Sequence, residues 1–177
     1  MKQCRWFAYT LDRASAPWAF CKQGEAYRVI ASLELFATLL CLLLFAPASA
    51  PGSGIVLELP SITDNQGNES LVVKNMTTKF PLYLILLELT EQIHANNWSL
   101  NLVWQNRDLN QDADNLTNGK FDDFSPSMRL DPPLDTLPWI IMPTLFEKAR
   151  ELHEAVTVHK MEAKSRRADL GERIGDG

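Results

Sequence analysis

The strongest constraint on the fold is an uncharged apolar segment, Leu35–Ala46, that ends at Pro47. Its twelve residues are fewer than the roughly 20 that a helix needs to span a bilayer. The 34 residues before it include two tryptophans, unlike the short basic leader of a signal peptide. The segment therefore predicts a helix over about residues 27–46 that is buried in a protein core. Glu34 on this helix then needs a partner, because an unpaired buried charge is costly.

Length and composition predict a globular chain with one domain and a tail. The chain has 177 residues, of which 46% are hydrophobic, and a formal net charge of -5, which argues against a generally basic nucleic-acid-coating protein. The three cysteines are an odd number, and none of them forms a CxxC pair. Reduced thiols are therefore predicted rather than disulfides or a zinc site: Cys4, Cys21 and Cys41.

The order of predicted elements favours an α/β fold with parallel pairing in part of the sheet. Aromatic-rich residues 5–20 predict one or two strands, and the apolar run 55–62 predicts a strand that delivers Asp64 at its carboxyl end. The remaining predicted elements are a helix over 70–78, a helix from Pro81 onward, a strand over 98–104 and a short helix over 110–117 that Gly119 closes.

One residue of the predicted strand 55–62 is unfavourable there. Pro60 cannot donate to a sheet ladder, because proline lacks a backbone N–H. The strand is therefore expected to be either bulged or not fully central.

Three acids occupy corresponding places in these elements. Glu34 lies on the apolar helix, Asp64 at the end of the apolar strand, and Asp114 on the short helix after the last strand. Parallel strands bring their carboxyl ends to one edge of a sheet, where open α/β folds place their sites. Clustered carboxylates repel one another, and divalent cations such as Mg²⁺ make such clusters tolerable. Two such ions could generate a hydroxide and stabilise a leaving oxygen in phosphodiester hydrolysis.

The blocks ASLELFATLL, SITDNQGN and NQDADNLTNG, in that order, resemble the acidic blocks of ribonuclease H-like domains. The resemblance is to those attached to reverse transcriptases of DIRS-like retroelements and of similar elements in dinoflagellate genomes, and it spans about residues 5–120. It implies a mixed sheet of about five strands flanked by helices. It also implies two Mg²⁺ ions and cleavage of the RNA strand of an RNA·DNA hybrid.

Carried over residue by residue, the resemblance makes Glu34, Asp64 and Asp114 the catalytic metal ligands. Asp112 competes with Asp114 for the third place, which Asp114 takes because it follows Ala113 in the block. Lys79 and Arg107 are the candidate phosphate contacts.

The sequence departs from the family at its first strand, which carries a further metal-binding aspartate. Asp12 does not fill that place, because it lies only 22 residues before Glu34. The domain is therefore expected to be incomplete and inactive on its own, a pseudoenzyme relying on an upstream reverse transcriptase segment of the same polyprotein. An intracellular location, cytoplasmic or nuclear, without membrane attachment is the accompanying expectation.

The rest of the chain predicts a proline-rich linker over 121–143 and a charged helix over about 144–168, within a C-terminal part of residues 144–177.

Two other functions stay open. Four N-x-[ST] sequons favour a secreted or membrane-anchored glycoprotein with residues 35–46 as targeting segment: Asn68, Asn75, Asn97 and Asn115. The charged helix could instead serve a non-catalytic interaction module.

Overall fold

The computed structural model describes residues 1–12, 15–20, 29–48 and 54–145, together with 148, 151 and 158. The chain divides into two compact units, residues 1–141 and 142–177. The first unit has a mixed α/β architecture, which confirms the predicted class. Its described helices and strands are, in order, α1 (Ile30–Phe45), β1 (Leu57–Thr63), α2 (Gln66–Lys74), α3 (Leu82–Ala95), β2 (Trp98–Trp104) and α4 (Gln111–Thr117).

Helix α1 is the predicted core helix. Its buried side chains lie on most sides of the helix, as the continuous apolar sequence requires. The helix ends where Ala46 turns to extended backbone before Pro47, as expected for a residue that precedes proline. None of the described helices is both long and apolar enough to cross a membrane. Cys41 is a half-buried free thiol on this helix, and burial raises its pKa to about 11.

In the part of the chain that the structure describes, the sheet has two parallel strands. Leu57 of β1 pairs with Trp98 of β2, and the register continues without interruption to Thr63 and Trp104. Helices α2 and α3 form the connection between the strands, as parallel pairing demands. The predicted parallel pairing is confirmed, and the carboxyl ends of both strands lie at one edge.

Pro60 fits β1 without a bulge because its backbone faces the outer edge of the sheet. The Leu57 N–H donates to the Asn97 carbonyl (3.0 Å), and the Thr63 carbonyl accepts from the Gln105 N–H (2.9 Å). Backbone groups alternate sides along a strand, so Pro60 faces the outer edge, away from β2. Within the described residues no strand pairs with that edge, and the missing N–H therefore breaks no hydrogen bond.

Helix α2 begins four residues earlier than the predicted helix over 70–78 and ends at Lys74. The reason is an N-cap: the Asn65 side-chain oxygen accepts from the Asn68 N–H (3.2 Å). The Asn68 amide in turn donates to the Ala31 carbonyl (3.1 Å) and is 1% exposed. This sequon asparagine joins α2 to α1, which leaves no room for a glycan in the folded chain.

The N-terminal segment forms less strand than residues 5–20 predict. Among its described residues, the strand pairing consists of the isolated bridges Lys2 with Phe124 and Trp6 with Arg129, and Pro17–Phe20 is a 3-10 helix. Trp6 is 4% exposed, and its indole N–H donates to the Ser125 carbonyl (2.8 Å). Backbone hydrogen bonds at the two bridges and the buried Trp6 side chain together hold this segment. The predicted strands are wrong in that its described residues form no continuous strand.

Residues 121–141, which the sequence predicts to be part of a linker, belong to the first compact unit. Glu88 of α3 is 0% exposed and accepts from the N–H groups of Ile140 (2.9 Å) and Ile141 (2.8 Å). The Gln92 amide donates to the same carboxylate (2.8 Å) and to the Pro138 carbonyl (2.7 Å). The end of the segment is thus tied to α3 by a buried acid.

The second unit is described in small part. Residues 142–145, 148, 151 and 158 are helical, as the predicted helix over about 144–168 requires at the positions it includes. The rest of that helix lies outside the described residues.

Candidate functional site

Glu34 lies on α1 with its carboxylate beside the start of α2. The Asn65 side-chain N–H donates to Glu34 Oε2, while the Asn65 oxygen caps α2. One amide therefore performs two tasks, holding the acid and beginning the helix. Glu34 is half-buried, and this hydrogen bond supplies the partner that its position requires.

Asp64 directly follows the last residue of β1, at the carboxyl edge of the sheet. The indole N–H of Trp104, the last residue of β2, donates to the Asp64 carbonyl (3.2 Å). The Asp64 carboxylate accepts from the Arg107 side chain, with 3.2 Å between Oδ2 and Nε. The parallel register thus brings the end of β2 and the turn after it to the acid that β1 delivers.

Asp114 reaches the same arginine from α4. Its Oδ1 lies 3.6 Å from Arg107 Nε, and its Oδ2 accepts from the Asn118 amide (3.1 Å). The helix ends in a Schellman motif, because the Lys120 N–H bonds to the Asn115 carbonyl and Gly119, at φ +71°, supplies the left-handed residue. The predicted closure of this helix by Gly119 is confirmed.

Asp112 lies on α4 but has a different partner. It forms an ion pair with Lys2, whereas Asp114 faces Arg107. Of the two competing acids, the structure brings Asp114 to the group that contains Asp64.

We call Glu34, Asp64, Asp114 and Arg107 the acid–arginine cluster. Burial raises the pKa of Glu34, and the charge of Asp64 adds to that rise, while the hydrogen bond from Asn65 and the charge of Arg107 act against it. The pKa of Arg107 is also raised, mainly by its hydrogen bond to Asp64 and then by the charges of Asp64 and Asp114. The charge of Arg107 therefore interacts with all three predicted acids.

The donor atoms of the cluster suit a hard divalent cation, since all three acids offer carboxylate oxygens. Their arrangement does not. Within the described part of the chain, no three His, Cys, Asp or Glu side chains are placed to hold one metal ion. The guanidinium of Arg107 lies between Asp64 and Asp114 instead.

The two predicted phosphate contacts differ in their surroundings. Arg107 is paired with Asp64, so it faces the acids. Lys79 is exposed on the segment between α2 and α3. Sequence reasoning missed Asn65 and Trp104 as members of the site. Asparagine is a residue type that often caps helices, which was the available signal for Asn65, and the place of Trp104 at the end of its strand gave none.

No protein-family model, no curated protein and no solved structure matches this chain.

Proposed function

We propose that this chain is an incomplete ribonuclease H-like domain of a retroelement polyprotein. Its ancestral reaction is metal-dependent hydrolysis of the RNA strand of RNA·DNA hybrids, and residues 1–177 have no turnover of their own. The observation that carries the proposal is the meeting of Glu34, Asp64 and Asp114, from three separate elements, at the carboxyl edge of a parallel strand pair. That edge is where open α/β folds assemble their sites.

The open outer edge of β1 supports the proposal that the domain lacks a strand. Glu58 and Ile62 point their N–H and C=O groups to that edge, and no described strand pairs with them. A first strand, supplied by an upstream reverse transcriptase segment of the same polyprotein, could add there and bring the fourth acid. Pro60 would contribute only its carbonyl to such a pairing.

The test is cleavage of an end-labelled RNA·DNA hybrid in the presence of Mg²⁺. We expect none from residues 1–177 and measurable cleavage from the same chain joined to the reverse transcriptase segment. Within the joined protein, Asp64→Asn and Asp114→Asn are expected to lower the rate at least about 100-fold, as losing a charged ligand would.

Asp112→Asn is the matched control, because Asp112 lies on the same helix as Asp114 but pairs with Lys2. Its rate is expected to stay within about twofold of the joined wild type. A joined protein that folds, as judged by circular dichroism, and cleaves no hybrid would overturn the proposed function. Equal losses for Asp112→Asn and Asp114→Asn would overturn the assignment of the third acid.

A further inference from the structure

The position that a cation should occupy in the acid–arginine cluster is held by a side chain of this protein. Arg107 Nε lies 3.2 Å from Asp64 Oδ2 and 3.6 Å from Asp114 Oδ1. A single guanidinium thus bridges acids that come from the end of β1 and from α4.

The acids are also held on their other sides. Asp114 Oδ2 accepts from Asn118 (3.1 Å) and, at 3.5 Å, from Gln111. Glu34 accepts from Asn65. These neutral donors orient the carboxylates, and Arg107 supplies the positive charge that clustered acids need.

We propose that Arg107 is an internal counter-ion that takes the place of a divalent cation, and that it must leave before metal can bind. The proposal rests on the proposed function insofar as it assigns these acids to a divalent site. It accounts for how acids from separate elements lie near one another, because the charge of Arg107 offsets their mutual repulsion.

The ion pairs of Arg107 with Asp64 and Asp114 can break at little cost in stability. The Arg107 side chain is 65% exposed, against 23% for Asp64 and 25% for Asp114. Exposed ion pairs contribute little stability, since solvent and salt screen them. A doubly charged ion competes well for the same oxygens, whereas monovalent arginine is sufficient to hold them together in its absence.

The test measures Tb³⁺ binding to residues 1–177, with Tb³⁺ standing in for a hard divalent cation. Trp104 donates to the Asp64 backbone, which places an indole near enough to sensitise Tb³⁺ emission. Arg107→Gln removes the competing charge, and we expect it to bind Tb³⁺ roughly tenfold more tightly than the wild type, a difference of about 1.4 kcal/mol. Adding Asp64→Asn to Arg107→Gln should abolish that gain.

Lys120→Gln is the control, since it makes the same charge change at an exposed position and should leave the affinity within about twofold. Arg107→Lys keeps the charge but loses the planar fork, so its affinity should lie between those of wild type and Arg107→Gln. It also keeps the test informative if Arg107→Gln fails to fold.

Three results would overturn the inference. Equal Tb³⁺ affinity in wild type and Arg107→Gln, with binding still dependent on Asp64, would show that Arg107 does not compete, and the proposed nuclease ancestry would stand. Gains of equal size in Lys120→Gln would reduce the effect to net charge. Absence of binding by every variant would remove the divalent site itself and with it the metal part of the proposed function.

Discussion

Two glutamates of the first unit, Glu88 and Glu34, are both withdrawn from solvent but have different roles. Glu88 holds the fold together, whereas Glu34 can still bind a further ligand. Glu88 is 0% exposed, and both its carboxylate oxygens accept hydrogen bonds, from two backbone N–H groups and an amide. Glu34 is half-buried, and its described carboxylate partner is Asn65 on one oxygen. Neutral donors satisfy the first acid, while the second shares its surroundings with Asp64 and Arg107.

The contrast teaches that burial alone does not mark a site. A carboxylate with both oxygens filled by neutral donors has little capacity for another ligand, however deeply it lies. A carboxylate with an oxygen to spare, beside further acids and a cation, retains that capacity. Substitutions of the two glutamates test this distinction.

The largest effect is expected for Glu88→Ala. It leaves the N–H groups of Ile140 and Ile141 without their acceptor and opens space beside Gln92. Each buried donor left unsatisfied costs about 1–3 kcal/mol, so we expect a destabilisation of about 3–4 kcal/mol. Urea unfolding followed by tryptophan fluorescence measures the free energy of unfolding. Glu91→Ala, at an exposed position of the same helix, is the control, and a similar loss there would contradict the role of Glu88.

Replacement by glutamine tests the comparison directly. At position 88 one oxygen becomes an N–H donor that must face a backbone N–H, so we expect Glu88→Gln to destabilise by about 1–2 kcal/mol. At position 34 the remaining amide oxygen can still accept from Asn65, and Glu34→Gln should change stability by less than about 0.5 kcal/mol. Paired denaturation curves decide the matter. Equal losses at both positions would mean that the two acids are held alike.

A smaller loss is expected when the end of α4 is altered. Gly119 has φ +71°, and nothing lies within 4 Å of the Cβ that a substitution would add. Gly119→Ala should therefore destabilise by about 1 kcal/mol through backbone strain alone, and Gly119→Asn by less, since asparagine tolerates this conformation better. Thermal unfolding ranks the three proteins. An alanine variant as stable as the wild type would show that the turn does not depend on glycine.

The smallest effect concerns pH. Burial raises the pKa of Glu34 above its usual 4.5, so folding favours the protonated acid. Its contribution to stability is present below the unfolded-state pKa and is lost as the pH rises through the folded-state pKa. The wild type should therefore lose stability relative to Glu34→Gln between about pH 4 and neutrality. Urea midpoints at several pH values give this difference, and parallel profiles would refute it.

Much of the order of elements could be predicted because local sequence decides it. The continuous apolar stretch after Glu34 forms α1, the alternating stretch 98–104 forms β2 at the predicted bounds, and Gly119 closes α4. Parallel pairing also brings Asp64, directly after β1, and the turn after β2 that carries Arg107 to one edge. These features need no knowledge of distant contacts.

The features that escaped prediction depend on contacts distant in sequence. Glu88 accepts from Ile140 and Ile141, and Trp6 donates to Ser125, across 52 or more positions of sequence. No periodicity in the sequence predicts such pairs. Arg107 was predicted as a phosphate contact from its charge alone, whereas its pairing with Asp64 requires the register of β1 and β2. The start of α2 was misplaced because one asparagine, Asn65, overrides the weak local preference after it.

Pro60 also bears on how the protein behaves when it is concentrated. An open strand edge invites the same edge of another molecule, and continuous stacking of that kind leads to aggregates. On the outer side of β1, the N–H donors of Glu58 and Ile62 are separated by four residues, about 13 Å, with the proline between them. The sparse row of donors makes repeated edge-to-edge stacking of copies less favourable, whereas a single added strand can still pair through the remaining groups.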